Sequence, residues 1–396
     1  MNRWCSTRWR KPAAVRGAFD VNPRPLKIGI TCYPTVGGSG ILACALGEEL
    51  AHRGHEVHFI SYERPFRLPA NSPRLSFHPV VINDYGLFKY PDYTLPLSVK
   101  MAEVSRACRL DVLHVHYAVP HATAAMLARS MLPPALQPRV VTTMHGTDTT
   151  LLGCDPGYGP AIHHALTHSD AVTVVSNFLK LETHRVLGYE GPMEVIHNFF
   201  TPRAPQRSRE EVRRELGLRD EAVVFHSSNL RPLKRIDLLL EAAARIRPRE
   251  SFKLLILAGG DFAPFANDVR RLGLEDRVIV REQVADIEDY LQVADAGLFT
   301  SETESFCLSI LEAMCFGCPS VAAAVGGIPE VTENNATGLL VPEARPDAFA
   351  RAVEGLIQDP ARRNELGRAA KKRAIAYFSA EAIVPKYEAL YRRVVS

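Results

Sequence analysis

No stretch of the 396-residue chain approaches the roughly 18 uninterrupted apolar residues that a membrane span needs. No dense Lys/Arg block stands in the folded part, and the net charge is only +3, so neither composition nor patterning points to nucleic acid. Asp-x-Asp, a spacing at which two carboxylates can hold a divalent metal, does not occur. The eight cysteines are scattered and lack the framework of a small secreted domain; free thiols in a reducing cytosol are expected. Cys315 and Cys318 form a C-x2-C with no second pair or histidine cluster after it, so structural cysteine is favoured over zinc. Residues 1 to 25 are Arg-rich, poor in acids and without the apolar core of a signal peptide, and are expected to be a disordered extension or an over-called translation start.

What remains is an ordinary globular composition, 46% hydrophobic and 23% charged, in a chain long enough for two domains. Leu26 to Thr31 reads as a short apolar strand, followed by CYPTVGGSG and an amphipathic helix over Ile41 to Arg53. Strand, glycine loop and helix make an anion site, because small residues let backbone amides approach a phosphate or carboxylate. Gly38-Ser39-Gly40-Ile41-Leu42-Ala43 also fits G-x-G-x-x-A, which keeps a dinucleotide-dependent oxidoreductase as a rival reading, although the preceding loop is long for that turn. Further strands are expected at 56–61, 111–117, 139–145, 171–176 and 194–197, alternating with helices as in a doubly wound parallel sheet. Ligands bind such sheets beyond the carboxyl ends of the strands. Polar residues gather at those ends: Tyr33 and Ser39, His116 and Tyr117, the run His145-Gly146-Thr147-Asp148, Ser176 and Asn177, and Asn198.

A Pro- and Arg-rich bridge, TPRAPQRSR from Thr201, separates a second strand-and-helix series beginning at Glu221. Its first unit carries SNLRPLKR before a helix over Ile236 to Arg245, placing Arg231, Lys234 and Arg235 at a helix N-terminus. Three cations there are costly beside the positive end of the dipole, unless an anion such as a diphosphate joins them. Further on, FTSETESFCLSILEAMCFGCPSVAAAVGGIP, from Phe299, reads as strand end, polar loop, helix from Phe306, short strand and glycine turn. Leu308, Leu311, Met314 and Cys315 would share its apolar face, with Glu304 in the loop at the helix N-terminus and Glu312 within the helix.

The acidic pair flanking Ser305-Phe306, with the FGCP turn and the Val-Gly-Gly-Ile-Pro-Glu tail, resembles the Glu-x7-Glu signature of retaining glycosyltransferases of family 4. One departure is Cys307, where that family usually has glycine. CYPTVGGSG, PFRL, HVHYAVPHA and TMHGTDTT narrow the resemblance to a subfamily that joins N-acetylglucosamine to L-malate at the opening of bacillithiol biosynthesis. The resemblance implies a GT-B fold, two Rossmann-like doubly wound parallel-sheet domains facing across a cleft. Residues 26–200 would bind the acceptor and 201–379 the nucleotide sugar, with helix 380–395 packed back on the first domain.

The same resemblance implies transfer from UDP-N-acetylglucosamine to L-malate in the cytoplasm, with no metal or other cofactor. His145, Glu304, Arg231 and Lys234 would be catalytic. Gly38, Ser39, Asn229, Arg231, Lys234, Glu304, Ser305, Phe306, Cys307, Leu308 and Glu312 would bind the donor. Ser39, Gly40, Tyr117, Thr147, Asn177 and Asn198 would bind the acceptor. A lipid or sugar acceptor, a UDP-N-acetylglucosamine epimerase or hydrolase, and a nucleotide-sugar-binding regulator stay open as alternatives. Oligomeric state is also open, a homo-oligomer included.

Overall fold

The computed structural model describes residues 24–34, 38–65, 67–68, 72–82, 92–247 and 251–396. Most of the expected N-terminal extension and Gly37 lie outside them. Seven parallel strands form the first sheet: β1 (Lys27–Thr31), β2 (Glu56–Ser61), β3 (Leu75–Pro79), β4 (Val112–His116), β5 (Arg139–Met144), β6 (Ala171–Val174) and β7 (Glu194–Val195). Their order is β3-β2-β1-β4-β5-β6-β7. Six more form the second: β8 (Ala222–Ser228), β9 (Phe252–Ala258), β10 (Val278–Glu282), β11 (Ala296–Phe299), β12 (Ser320–Ala323) and β13 (Gly338–Val341), in the order β10-β9-β8-β11-β12-β13.

The strand order reverses between β1 and β4 in one sheet and between β8 and β11 in the other. At such a switch point neighbouring loops diverge to opposite faces and leave a crevice at the carboxyl ends of the strands. Four segments are thereby put in place: residues after β1, Tyr117 after β4, Asn229 to Arg235 after β8, and Thr300 to Cys307 after β11.

Central strands are apolar almost throughout, as in FKLLILA of β9, because helices cover both of their faces. The helix Ile236–Arg245 buries Ile236, Leu239, Leu240 and Ala243 at three- and four-residue spacing. The two strands that sequence patterning missed, β3 and β13, are both sheet edges. An edge strand is covered on fewer sides and need not carry a continuous apolar run. In β3 no residue is fully buried.

The closing helix Ala380–Val395 lies against the first sheet. Its Ile383, Val384, Tyr387, Leu390 and Tyr391 join Ile28, Ile30, Val57 and Phe59 in one buried cluster. The Tyr391 hydroxyl bonds His114 Nδ1 at 2.7 Å, and Glu388 accepts from Arg53 at 3.2 Å and His55 at 2.9 Å.

Two helix starts differ from expectation. The first helix of the chain begins at Gly38, three residues early, and the Glu-x7-Glu helix spans Leu308–Cys315 rather than starting at Phe306. Cys307 causes the second shift, because its φ of 72° is left-handed and breaks the helical path. Cys307 is buried with the core cluster, while Leu308 and Cys315 are only half-buried. The buried face is carried by Ile310, Leu311, Ala313 and Met314.

Candidate active site

The loops after β8 and β11 are stitched together. Glu302 N–H donates to Leu233 O at 2.8 Å, and the Thr300 hydroxyl donates to the carbonyls of Lys234 (3.3 Å) and Arg235 (3.0 Å). This brings Lys234 Nζ to 2.5 Å from Glu304 Oε1, which also accepts from the Ser301 hydroxyl at 2.8 Å. Burial disfavours the ammonium, but Glu304 outweighs it, so the Lys234 pKa is raised and the side chain is charged.

The expected unpaired triad of cations is therefore corrected. Arg235 pairs with Asp237 at 2.8 Å and Lys234 with Glu304, leaving of the three only Arg231 without an acidic partner among the described residues. Glu304 lies in the loop before the helix, as expected. With the helix starting at Leu308, its carboxylate lies before the first turn and is held by Lys234 and Ser301.

The Val-Gly-Gly tail has a mechanical explanation. Gly327 N–H donates to Glu304 O at 2.8 Å. A Cβ on Gly326 would come within 2.0 Å of Glu304 O, and one on Gly327 within 2.2 Å of Ser305 O. Only glycine lets this turn press on the Glu304–Ser305 backbone and hold it still. Glu312 is buried, contrary to an ordinary solvated helix glutamate, and burial pushes its carboxyl up to about 7. Arg67 works against that shift and Glu288 adds to it.

On the facing domain, Tyr117, Ser39, Thr147 and His145 converge. The Tyr117 hydroxyl donates to Ser39 Oγ at 3.0 Å, and its ring lies 5.1 Å from that of His145. Burial raises the Tyr117 pKa; Ser39, Arg231 and Thr147 pull it back, which puts Arg231 of the second domain beside this group. Tyr117 has φ of 81°, a strained backbone for a bulky residue, of the kind that concentrates at functional sites.

Behind them stands a block of buried histidines. His116 Nδ1 lies 2.8 Å from His145 Nε2 with the rings stacked, and burial lowers His145 to about 3 and His121 to about 4. These rings are neutral at physiological pH. Asp148 accepts from Ala118 N–H at 2.9 Å and His145 N–H at 3.5 Å, tying the loops after β4 and β5 together, while burial pushes its carboxyl up to about 7.

The two halves meet closely. A Cβ on Gly38 would lie 3.7 Å from the Leu308 side chain, and one on Gly146, whose φ is 116°, would lie 1.8 Å from Ser305 Oγ. The Glu304–Leu308 segment thus sits between the Gly38 and Gly146 loops, with Glu304 held by Lys234. Gly40 is buried in the first turn of its helix. Asn229 is exposed, and its Oδ1 accepts from Arg231 N–H at 3.5 Å. Phe306 is buried and packs on His197 and Phe378. Asn177 is engaged elsewhere, bonding Glu330, and Asn198 Oδ1 is buried without a hydrogen-bond partner.

Comparison with known proteins fits this geometry. A family model described as "Glycosyltransferase Family 4" matches residues 36–204, and one described as "Glycosyl transferases group 1" matches residues 208–373. N-acetyl-alpha-D-glucosaminyl L-malate synthase of Bacillus anthracis is 40% identical over 93% of this chain and 97% of its own. The chain belongs to glycosyltransferase family 4. Among solved structures, sucrose-phosphate synthase from Thermosynechococcus elongatus shares the fold with a TM-score of 0.76, at 24% identity, covering 93% of this chain and 99% of its own. Anabaena Alr3699/HepE, solved with UDP and glucose, also superposes at 0.76, with 19% identity and 92% and 99% coverage. The family-4 enzyme therefore has the expected GT-B architecture, and the oxidoreductase reading of Gly38-x-Gly40 is overturned. Among the described residues no helix is long and apolar enough to cross a membrane.

Sequence reasoning missed the residues that tie the two domains of the glycosyltransferase together. Glu330 of the second domain accepts from the backbone N–H groups of Asn177 and Phe178 (both 2.9 Å), from Asn177 Nδ2 (3.0 Å) and from His197 Nε2 (3.1 Å). It thus caps the first turn of helix Asn177–Leu187 in the other domain, whose next free amide, Leu179 N–H, is taken by Ser176. The only signal was the glutamate closing the Val-Gly-Gly-Ile-Pro-Glu tail. Arg67 makes a second tie, donating to Ala285 O at 2.7 Å and to Glu288 at 3.4 Å.

Burial alone would raise the Glu330 carboxyl, but His197, the two amides and Asn177 outweigh it and hold it at about 2. A depressed carboxyl stabilises the fold above its ordinary value and loses that contribution as pH falls through 4.5 toward about 2. Replacing Glu330 by Gln is expected to lower the Tm near neutrality, with the difference from wild type shrinking in acid. Hydrogen exchange at Asn177 and Phe178 should speed up, which locates the loss at this latch.

Proposed function

We propose that this family-4 enzyme is a retaining glycosyltransferase carrying N-acetylglucosamine from UDP-N-acetylglucosamine to the hydroxyl of L-malate, the opening step of bacillithiol biosynthesis, in the cytoplasm. The observation that carries the reading is the wedge of Glu304–Leu308 between the Gly38 and Gly146 loops. It sets a cationic side against a cluster of hydroxyls. The likeness to the L-malate synthase, which extends over nearly the whole of both chains, supports the choice of sugar and acceptor.

In this reading Lys234 and Arg231 face the diphosphate and offset the charge that develops as it leaves, work that in other folds falls to a divalent ion. Lys234 is preorganised by Glu304, so little reorganisation accompanies the reaction. Glu304 accepts from the sugar hydroxyls and Glu312 from those of the ribose, which fixes the donor's orientation. The hydroxyls of Ser39, Tyr117 and Thr147, with the N–H groups at the start of helix Gly38–His52, receive the malate carboxylates.

The malate hydroxyl approaches the anomeric carbon from the face the diphosphate leaves. The new C–O bond forms as the old one breaks, and the hydroxyl proton passes to the departing phosphate oxygen. His145, neutral and stacked on His116, lies beside the sugar at this point.

The test is UDP release from UDP-N-acetylglucosamine, scanned over L-malate, other hydroxy acids and no acceptor, with the anomeric configuration of the product read by NMR. L-malate is expected to give the highest kcat/KM and an α-linked product. Equal release without acceptor would mean a hydrolase or epimerase, and a preference for another acceptor would sink the malate assignment.

A further inference from the structure

A cluster of metal-ligating side chains lies in the first domain, outside the residues assigned to transfer. His78 on β3 stands in register with Ile60 of β2, and His58, two residues earlier on β2, shares that face of the sheet. The face is covered by helix Thr94–Cys108, whose Met101 and Val104 join Ile60 in the core. The last residue of that helix is Cys108. Because Cys108 comes just before β4, it sits by the amino ends of the strands, the end opposite the crevice.

His58 Nδ1 is 3.0 Å from His78 Nε2, and the Cys108 sulfur with one ring nitrogen of each histidine makes a triangle whose corners all lie within 4.8 Å of one another. Behind His58, its Nε2 meets Glu56 Oε1 at 3.0 Å. A carboxylate only accepts, so Glu56 keeps the proton on Nε2 and turns the Nδ1 lone pair toward the other two groups. A carboxylate behind a ligating histidine is the arrangement that orients imidazoles in metal sites. The neighbouring cations are paired, Lys27 with Glu56 at 3.5 Å and Lys100 with Glu103 at 2.6 Å.

A hydrogen bond between two histidines would account for the 3.0 Å contact alone. It does not account for a thiol at the third corner or for the carboxylate that fixes the tautomer. Two nitrogens bound tetrahedrally to zinc at about 2.0–2.1 Å lie roughly 3.3 Å apart, a few tenths from the spacing here.

We propose that His58, His78 and Cys108 bind a borderline-soft divalent transition-metal ion, zinc foremost, as a structural clasp between β2, β3 and helix Thr94–Cys108, with water as fourth ligand. On binding, the Cys108 thiol gives up its proton to solvent and the sulfur takes the metal. The proton now shared between the two rings moves to His78 Nδ1, freeing Nε2 as the ligand. No electron is transferred.

The experiment is titration of the untagged, metal-stripped full chain with Co²⁺, followed by optical absorption, and then displacement by Zn²⁺. One equivalent is expected to give intense d–d bands of a tetrahedral site and a thiolate-to-cobalt charge-transfer band, both bleached by zinc. Cys108→Ser should lose the charge-transfer band, and His78→Gln should lose the tetrahedral signature while folding normally by circular dichroism. Glu56→Gln should weaken affinity about tenfold. Glycosyl transfer by these variants should stay at the wild-type rate. Absence of the bands in the wild type would overturn the proposal, as would a charge-transfer band that survives in Cys108→Ser or a tetrahedral signature that survives in His78→Gln.

Discussion

Lys234→Met is expected to lower kcat by ~10²–10³-fold, the usual loss when one preorganised charge is removed from a developing anion. It should also destabilise the protein, because Glu304, whose side chain is only 10% exposed, is left as an unpaired carboxylate. Breaking one side of a buried pair costs about 3–5 kcal/mol, whereas replacing both partners is often close to neutral. The double variant Lys234→Met/Glu304→Gln should therefore recover much of the lost Tm and none of the lost turnover. That split would show that the Lys234–Glu304 pair serves transfer and not stability alone. A double variant that regained activity together with stability would show that Lys234 serves only to neutralise Glu304.

Gly146→Ala is the second large effect. At φ 116° and ψ −47° the backbone lies outside even the left-handed helical region, and an alanine held there costs about 1–3 kcal/mol. Its methyl group would also occupy the place of Ser305 Oγ, 1.8 Å from its centre, so the loop after β5 and the loop after β11 have to part. Parting them moves Glu304 away from the Tyr117 and Thr147 hydroxyls, and a displacement of about 1 Å at a reacting centre is worth around 10²-fold in rate. The expectation is a drop of that order in kcat/KM with near-normal circular dichroism. Ser305→Gly in the same chain removes the overlap but not the φ strain. It should return part of the Tm, leaving a coupling energy between two residues of different domains.

Much of the machinery was visible beforehand because local chemistry announces it. Ser39, Tyr117, His145 and Thr147 follow strands with polar groups at their carboxyl ends, and any doubly wound sheet brings such positions to one edge. Lys234 and Glu304 stood out for similar reasons, the first at a strand–loop–helix junction and the second in the family-4 signature. Local chemistry does not reveal partners that are remote in the chain. The cationic triad looked uncompensated until Asp237 and Glu304 proved to be its counter-ions, one of them contributed by a loop 70 residues further on.

The latch shows the limit most clearly. Glu330 lies 153 residues from Asn177, and nothing near either residue marks the one as the cap of the other's helix. Asn177, at a strand end, passed for an acceptor ligand for the same reason that Tyr117 did. Sequence by itself determined what periodicity and short-range chemistry can encode: two alternating strand-and-helix series, buried central strands, the glycine turns and the signature acids. Tertiary structure alone decided which charges are paired, that Glu312 is buried and pushed up to about 7, and how Gly146 and Ser305 close the gap between domains. Desolvation and pairing depend on atoms brought close by the fold from anywhere in the chain, and linear order carries no distance between them.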